Sequence, residues 1–168
     1  MPRDHLPRQV ATAVNLRILP LAQAFDDFLL SRRAMRCTPG TLQHYRFSAG
    51  KFVEWLARHG VTDAPSIVPA HVREWLAEDA DRLKDTSLHA RARGVRTFVR
   101  FLHAEGYAPA LVTFAMPRLE RKRLPCLDAD GLKRVLSSCR TPRERALLLT
   151  FADSGIRREE AACLTWGI

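Results

Sequence analysis

The sequence predicts an all-α protein: a small four-helix bundle, a basic linker, and then the first helices of a second unit. Three observations carry that expectation. Apolar residues recur at helical spacing, and no run alternates apolar and polar residues over the length of a strand. Prolines stand where helices should start and glycines where they should stop. Hydrophobic residues make up 46% of the 168 positions, enough to fill a core and too many for a disordered chain.

The elements follow in order. Residues 1–19 read as a loose polar arm, and MPRDHLPRQVATAV lacks the apolar stretch of a signal peptide. Pro20 opens the first helix, with Leu21, Ala24, Phe25, Phe28 and Leu29 on one side. In TPGT, Thr38 is placed to cap the second helix and Pro39 fits its first turn. That helix carries Leu42, Tyr45, Ala49, Phe52, Val53 and Leu56 on its apolar face and stops at Gly60. His44, Ser48 and Lys51 are expected on its outer side. Pro69 opens the third, with Val68, Val72, Trp75 and Leu76 apolar; Trp55 and Trp75 read as anchors at the core edge. The fourth runs from Thr86–Ser87 to Glu105, its apolar residues Leu88, Ala92, Val95, Val99 and Leu102 spaced 4-3-4-3. Short connections between these four predict an antiparallel bundle over residues 20–107.

The composition then shifts. Residues 108–124 hold two prolines, with Pro125 directly after them, and the basic cluster Arg118, Arg121, Lys122 and Arg123, and read as an interdomain linker open to proteases. Helical signals resume in 125–168. DADGLKRVLSS is one short helix, and TPRERALLLTFAD is another, with a Thr141–Glu144 capping box. Gly155 ends it, and RREEAACLTW starts one more.

Charge narrows the function. Lys and Arg number 27 against 18 Asp and Glu, a net charge of +9, which favours a polyanionic partner. No stretch approaches ~18 uninterrupted apolar residues, so no membrane span is expected and the expected location is the cytoplasm. Cys37, Cys126, Cys139 and Cys163 have no metal-ligand spacing. We expect no metal, no cofactor, and thiols packed mostly as small apolar residues.

The fourth helix has a second stripe beside the apolar one. His89, Arg93, Arg96, Arg100 and His103 fall within an arc of roughly 80° at about 100° per residue. No acid interrupts it before Glu105. A solvated face ordinarily mixes signs, because like charges at i,i+4 oppose the helix. Two readings stand: a plain solvated face of a basic protein, or a face presented to double-stranded DNA. Thr41, His44 and Lys51 on the second helix, and Arg121, Lys122 and Arg123 in the linker, would add backbone contacts. Thr41 serves equally well as a cap. Gly94 permits either close helix packing or close approach of DNA.

This order of parts resembles the tyrosine recombinase (phage integrase) family. TPGTLQHYRFSAGKFVEWLARHG and TSLHARARGVRTFVRFLHAEG look like the paired helices of its core-binding, SAM-like domain. LPCLDADGLKRVL is similar to the start of its catalytic domain. The most specific stretch, RERALLLTFADSGIRREEAACLTW, is similar to the family's "R..all.ll..TGlR.sEl..L.W". In that match Arg157 aligns with the first catalytic arginine and Glu160 with the acid three positions on. Ser154, Arg158 and Glu159 depart from the pattern, and the closing Trp166-Gly167-Ile168 departs from the family's W-x-D-I. The resemblance implies cleavage of DNA through a 3′-phosphotyrosyl link, without metal or nucleotide, with Arg157 stabilising charge on the phosphate. It also implies other recombinase protomers as partners. An arginine at a helix start could instead serve the fold, pairing with Glu160 or Glu144.

After its first arginine the family carries a lysine, a His-x-x-Arg, a further His or Trp and the tyrosine nucleophile. None of these is present up to Ile168. The expectation is therefore a DNA-binding fragment of a recombinase, inactive alone, in which Arg157 is a remnant. Apolar residues such as Leu147, Leu149 and Phe151 would then fold back, pair with a second chain or stay loosely ordered. A stand-alone DNA-binding accessory or regulator of recombination is the alternative, and a helical protein-interaction module a third.

Overall fold

The computed structural model describes residues 19–120 and 125–164. The chain forms two units, Met1–Glu120 and Arg121–Ile168. The arm expected over residues 1–19 lies outside the described residues up to position 18.

The first unit is built from α1 (Leu21–Ala34), α2 (Pro39–Tyr45), a π-helical turn (Arg46–Gly50), α3 (Lys51–Arg58), α4 (Pro69–Glu78) and α5 (Asp85–Ala104). On α1 the buried residues are Leu21, Ala24 and Phe28, the spacing of one helical face. Thr38 caps α2 as expected, its hydroxyl accepting from the Thr41 amide at 3.3 Å. Gly60 leaves α3 in a left-handed conformation, with φ of +77°, where a side chain would be strained. On α5, Ala92, Val95, Val99 and Leu102 are buried together with Phe98 and Phe101.

Phe28 sits at the centre of the core and is fully buried. Its ring lies 5.3 Å from Phe98, 5.3 Å from Phe101 and 5.0 Å from Tyr45, in tilted or edge-on geometry. Trp55 and Trp75 are buried in the core rather than at its edge. Trp55 can be enclosed because its indole N–H donates to Glu78 at 2.6 Å, so no donor is stranded. Buried Asp79 is compensated by ion pairs to Arg82 and Arg91. Val68, expected on the apolar face, is exposed because it caps α4 instead of entering its first turn.

Two further expectations are corrected here. The second predicted helix is interrupted by the π-turn, and three consecutive residues, Ser48, Ala49 and Gly50, are buried there against α5. Ser48 therefore faces inward, not outward. The cysteines are not packed as core residues either: Cys37 and Cys139 are half-buried, and Cys126 and Cys163 are exposed.

The second unit holds α6 (Ala129–Ser137), α7 (Pro142–Ser154) and α8 (Arg158–Ala162). Asp128 caps α6, accepting from the Gly131 amide at 2.6 Å. The Thr141–Glu144 box closes α7 in both directions at 3.2 Å, and Gly155 ends it with φ of +63°. Gly131 is the only buried residue among those described in this unit, and Leu147 and Leu149 are nearly half exposed. Its helices are set by local capping, not by a core.

Candidate nucleic-acid interface

The π-turn, Gly94 and the basic face of α5 converge on one side of the first unit. A π-turn fits an extra residue into the helix, which widens it and shifts the side chains that follow. Here it presents small residues, Ser48 and Gly50, toward the interior, and α5 answers with Gly94. A Cβ on Gly94 would overlap Ser48 Oγ and stand 2.5 Å from Ser48 Cβ. Close helix packing therefore requires glycine at this position.

That close approach forms an open cleft of about 470 Å³ between the start of α2 and the middle of α5, lined by Thr38, Thr41, His44, Arg93, Gly94 and Thr97 among others. Three of the predicted residues, Thr41, His44 and Arg93, thus come together. Burial lowers the pKa of His44 from its ordinary 6.5, and the Arg93 guanidinium lowers it further. Thr38 and Thr97 were not singled out in the sequence. Thr97 lies one turn beyond Arg93, its hydroxyl donating to the Arg93 carbonyl at 3.0 Å, so the helical period could have found it.

The basic stripe divides in two. Arg93 and Arg100 are exposed, and neither has an acidic partner among the described residues. His89 and Arg96 are half-buried and engaged elsewhere. After Gly106 the chain runs back along α5 as an extended strap. His89 Nδ1 donates to the Pro117 carbonyl at 3.0 Å, and Arg96 Nη2 to the Phe114 carbonyl at 3.2 Å. The Arg96 guanidinium also lies 5.7 Å from the Phe114 ring centroid. His103 reaches the Ala108 carbonyl at 3.4 Å. Val112, Phe114 and Met116 pack against the core, while Leu111, Thr113 and Ala115 face out, an alternation natural to extended chain. The segment read as an open linker is therefore held to the bundle as far as Pro117. Arg96 and Arg100 border a smaller cleft of about 160 Å³ against this strap.

If this reading of the strap is right, Phe114→Ala should accelerate proteolysis at 108–117 several-fold while the far-UV circular dichroism of the helices stays unchanged. Equal cleavage rates would show that the strap is not held by these contacts.

The remaining candidates stand apart. Lys51 is exposed and pairs with Glu54 at 2.7 Å, away from the cleft. Arg121, Lys122 and Arg123 lie outside the described residues. Arg157 precedes α8, and both its backbone N–H (2.9 Å) and its guanidinium (3.2 Å) bond to Glu160. Glu144 is occupied by the amides of Arg140 and Thr141. Of the two structural pairings open to Arg157, the one with Glu160 is made. Among the described residues no three His, Cys, Asp or Glu cluster as a metal site, and no helix is long and apolar enough to cross a membrane.

Comparison with known proteins places this geometry in context. Residues 22–106 match the family described as phage integrase, N-terminal SAM-like domain. The chain is 32% identical over 155 residues to a protein named tyrosine recombinase XerC from Xylella fastidiosa (strain 9a5c), covering 88% of this chain and 52% of that protein. A protein of the same name from Xanthomonas axonopodis pv. citri (strain 306) is 32% identical over 161 residues, covering 84% of this chain and 52% of its own length. One from Xanthomonas campestris pv. campestris (strain B100) is 31% identical over 134 residues. The chain thus spans about half the length of the curated relatives it matches. No solved structure matches it.

Proposed function

The chain belongs to the tyrosine recombinase, or phage integrase, family, and from that premise we propose that residues 20–117 clamp duplex DNA for site-specific recombination. The observation that carries this reading is the placement of two exposed arginines on one face of α5 beside the cleft. Arg82 and Arg91 pair with Asp79, and Arg157 with Glu160. Arg93 and Arg100 instead stand exposed on one face of α5, unpaired by acids among the described residues. Cations held in a row without counter-charge favour a polyanion, and phosphates spaced along a duplex supply one. Thr41 adds a hydroxyl beside Arg93, which suits a non-bridging oxygen of a phosphodiester, while the Thr97 hydroxyl is engaged by the Arg93 carbonyl. Arg121, Lys122 and Arg123 would extend the contact along the backbone. A cytoplasmic location is the one consistent with work on DNA in this reading.

Chemistry is assigned more narrowly. Arg157 takes the place of the family's first phosphate-binding arginine, ready to neutralise charge building on a scissile phosphate. Strand transfer also needs a nucleophile. The chain has two tyrosines. Tyr45 is half-buried against Phe28, and Tyr107 is 1% exposed with its hydroxyl donating to Asp27 at 2.5 Å. Tyr107 cannot reach a phosphate without dismantling the core, whereas Tyr45 also borders the open cleft beside His44 and Arg93. We read these residues as binding and positioning DNA, with the nucleophile supplied from outside them and other protomers as partners. A suicide substrate carrying a nicked recombination site tests this: no covalent adduct should form on a denaturing gel, while the same duplex is retained at low salt. An adduct lost on Tyr45→Phe or Tyr107→Phe would overturn the assignment.

A further inference from the structure

We propose that Thr41, His44 and Arg93 form a pocket for one phosphate of duplex DNA, and that the phosphate enters together with a proton on His44. The inference rests on the DNA-binding reading above and adds to it a specific ligand atom group and a proton.

The geometry comes first. His44 lies in the cleft, half-buried. Among the described residues neither of its ring nitrogens has a hydrogen-bond partner, whereas His59, His71, His89 and His103 each use a ring nitrogen. Its backbone is fixed, because Ser48 Oγ donates to the His44 carbonyl at 2.7 Å. Access to the ring comes from Gly94. A Cβ there would lie 3.5 Å from His44 Nε2, so any larger side chain would cover that nitrogen. Glycine at this position thus serves two ends at once, helix packing and an open path to the imidazole.

The charges that face His44 are few. From α5 it is Arg93, whose guanidinium opposes protonation. On its own helix the titratable neighbour is Tyr45, with ring centroids 5.8 Å apart. The charged groups of α1 near α2, Asp26 and Arg33, line a different cleft with Leu42 and Arg46. Among the described residues no carboxylate lines the His44 cleft. In the free protein the imidazole is therefore neutral at neutral pH, with one nitrogen a lone-pair acceptor. The neutral ring can donate to a phosphate oxygen from one nitrogen only, and its other nitrogen repels one. Protonation converts both nitrogens to donors, and the phosphate charge offsets the Arg93 field that had opposed it. Binding the phosphate should consequently raise the His44 pKa, and protons are taken up between the free and the bound values.

The sign follows by linkage. Affinity for DNA rises as pH falls through the window between the bound and the free pKa, and is flat above and below it. Folding stability without DNA moves the opposite way. A depressed histidine pKa leaves stability complete above the ordinary 6.5 and lowers it as pH falls below that value.

The test measures equilibrium binding of a fluorescein-labelled, mixed-sequence duplex to the whole chain at constant ionic strength, from about pH 8 to about pH 5.5, for the parent protein and His44→Gln. The parent-to-variant affinity ratio should rise several-fold as pH falls. A ratio independent of pH would overturn the inference, even with strong salt-dependent binding in both proteins. Absence of salt-dependent binding at any pH would sink the DNA-binding reading itself, a distinguishable failure. A second readout needs no variant: the His44 ring proton resonances, titrated by NMR, should report a higher pKa with the duplex present than without it. An unchanged or lowered value would refute the proposal.

Discussion

Replacing Arg93 and Arg100 together by glutamine is expected to abolish most duplex DNA binding at moderate salt. Each arginine in a strong contact contributes about 1–3 kcal/mol, so the pair should cost on the order of 2–6 kcal/mol, or at least thirtyfold in Kd. The slope of log affinity against log salt should fall by about two, because two phosphates no longer release counterions. Fold stability should change little, since both side chains are exposed and make no ion pair among the described residues. Arg96→Gln provides the internal contrast. Its guanidinium is spent on the Phe114 carbonyl and ring, so its loss should loosen the strap more than it alters the salt slope. If Arg96→Gln weakens binding as much as the double change, while the strap stays protected, the division of the stripe is wrong and all three arginines act on DNA.

That division shows what the sequence could and could not convey. The stripe itself was legible, because a period of 3.6 assigns residues to faces without knowledge of partners. Which members of the stripe are available was not legible, because it depends on a segment about twenty residues away laying its carbonyls along the helix. Nothing in APALVTFAMP marks it as a strap except the alternation of Val112, Phe114 and Met116, too short to separate from a linker. Capping residues read well for a related reason. Thr38 and the Thr141–Glu144 pair act within one turn, so their geometry is set by near neighbours.

The π-turn was the main miss. A uniform helical period places Ser48 on the outer side of the second helix, yet it is 1% exposed. The turn takes in one residue more than an α-turn, so every face assignment across it is displaced. The run Ser48-Ala49-Gly50 was the available signal: three small residues in a row let two backbones approach, and Gly94 on the facing helix is the complement. Arg157 illustrates a different limit. The sequence supplied both of its readings, and the pairing with Glu160 shows how the side chain is held without deciding what phosphate it would meet.

The contact between Ser48 and Gly94 leads to the second large effect. Gly94→Ala should gain about 1 kcal/mol from helix propensity if the site were open. It is not open: the new Cβ would overlap Ser48 Oγ and stand 2.5 Å from Ser48 Cβ, closer than real carbon atoms approach. The helices must part or the π-turn must shift, and overpacking of this kind costs about 1–3 kcal/mol. Gly94→Val adds two methyl groups to the same collision, and its net destabilisation should reach about 3 kcal/mol or more. Urea unfolding would show this as a lower midpoint at unchanged slope. The decisive variant is the exchange Ser48→Gly with Gly94→Ala, which moves the small side chain to the other helix and removes both overlaps. Its stability should recover most of the loss, giving a coupling energy of about 1–2 kcal/mol in the double-mutant cycle. If Gly94→Ala proves neutral or stabilising, or if the exchange fails to rescue it, the close packing of α5 on the π-turn is not what places glycine there. Approach of a ligand to the His44 cleft would then be the surviving reason for it.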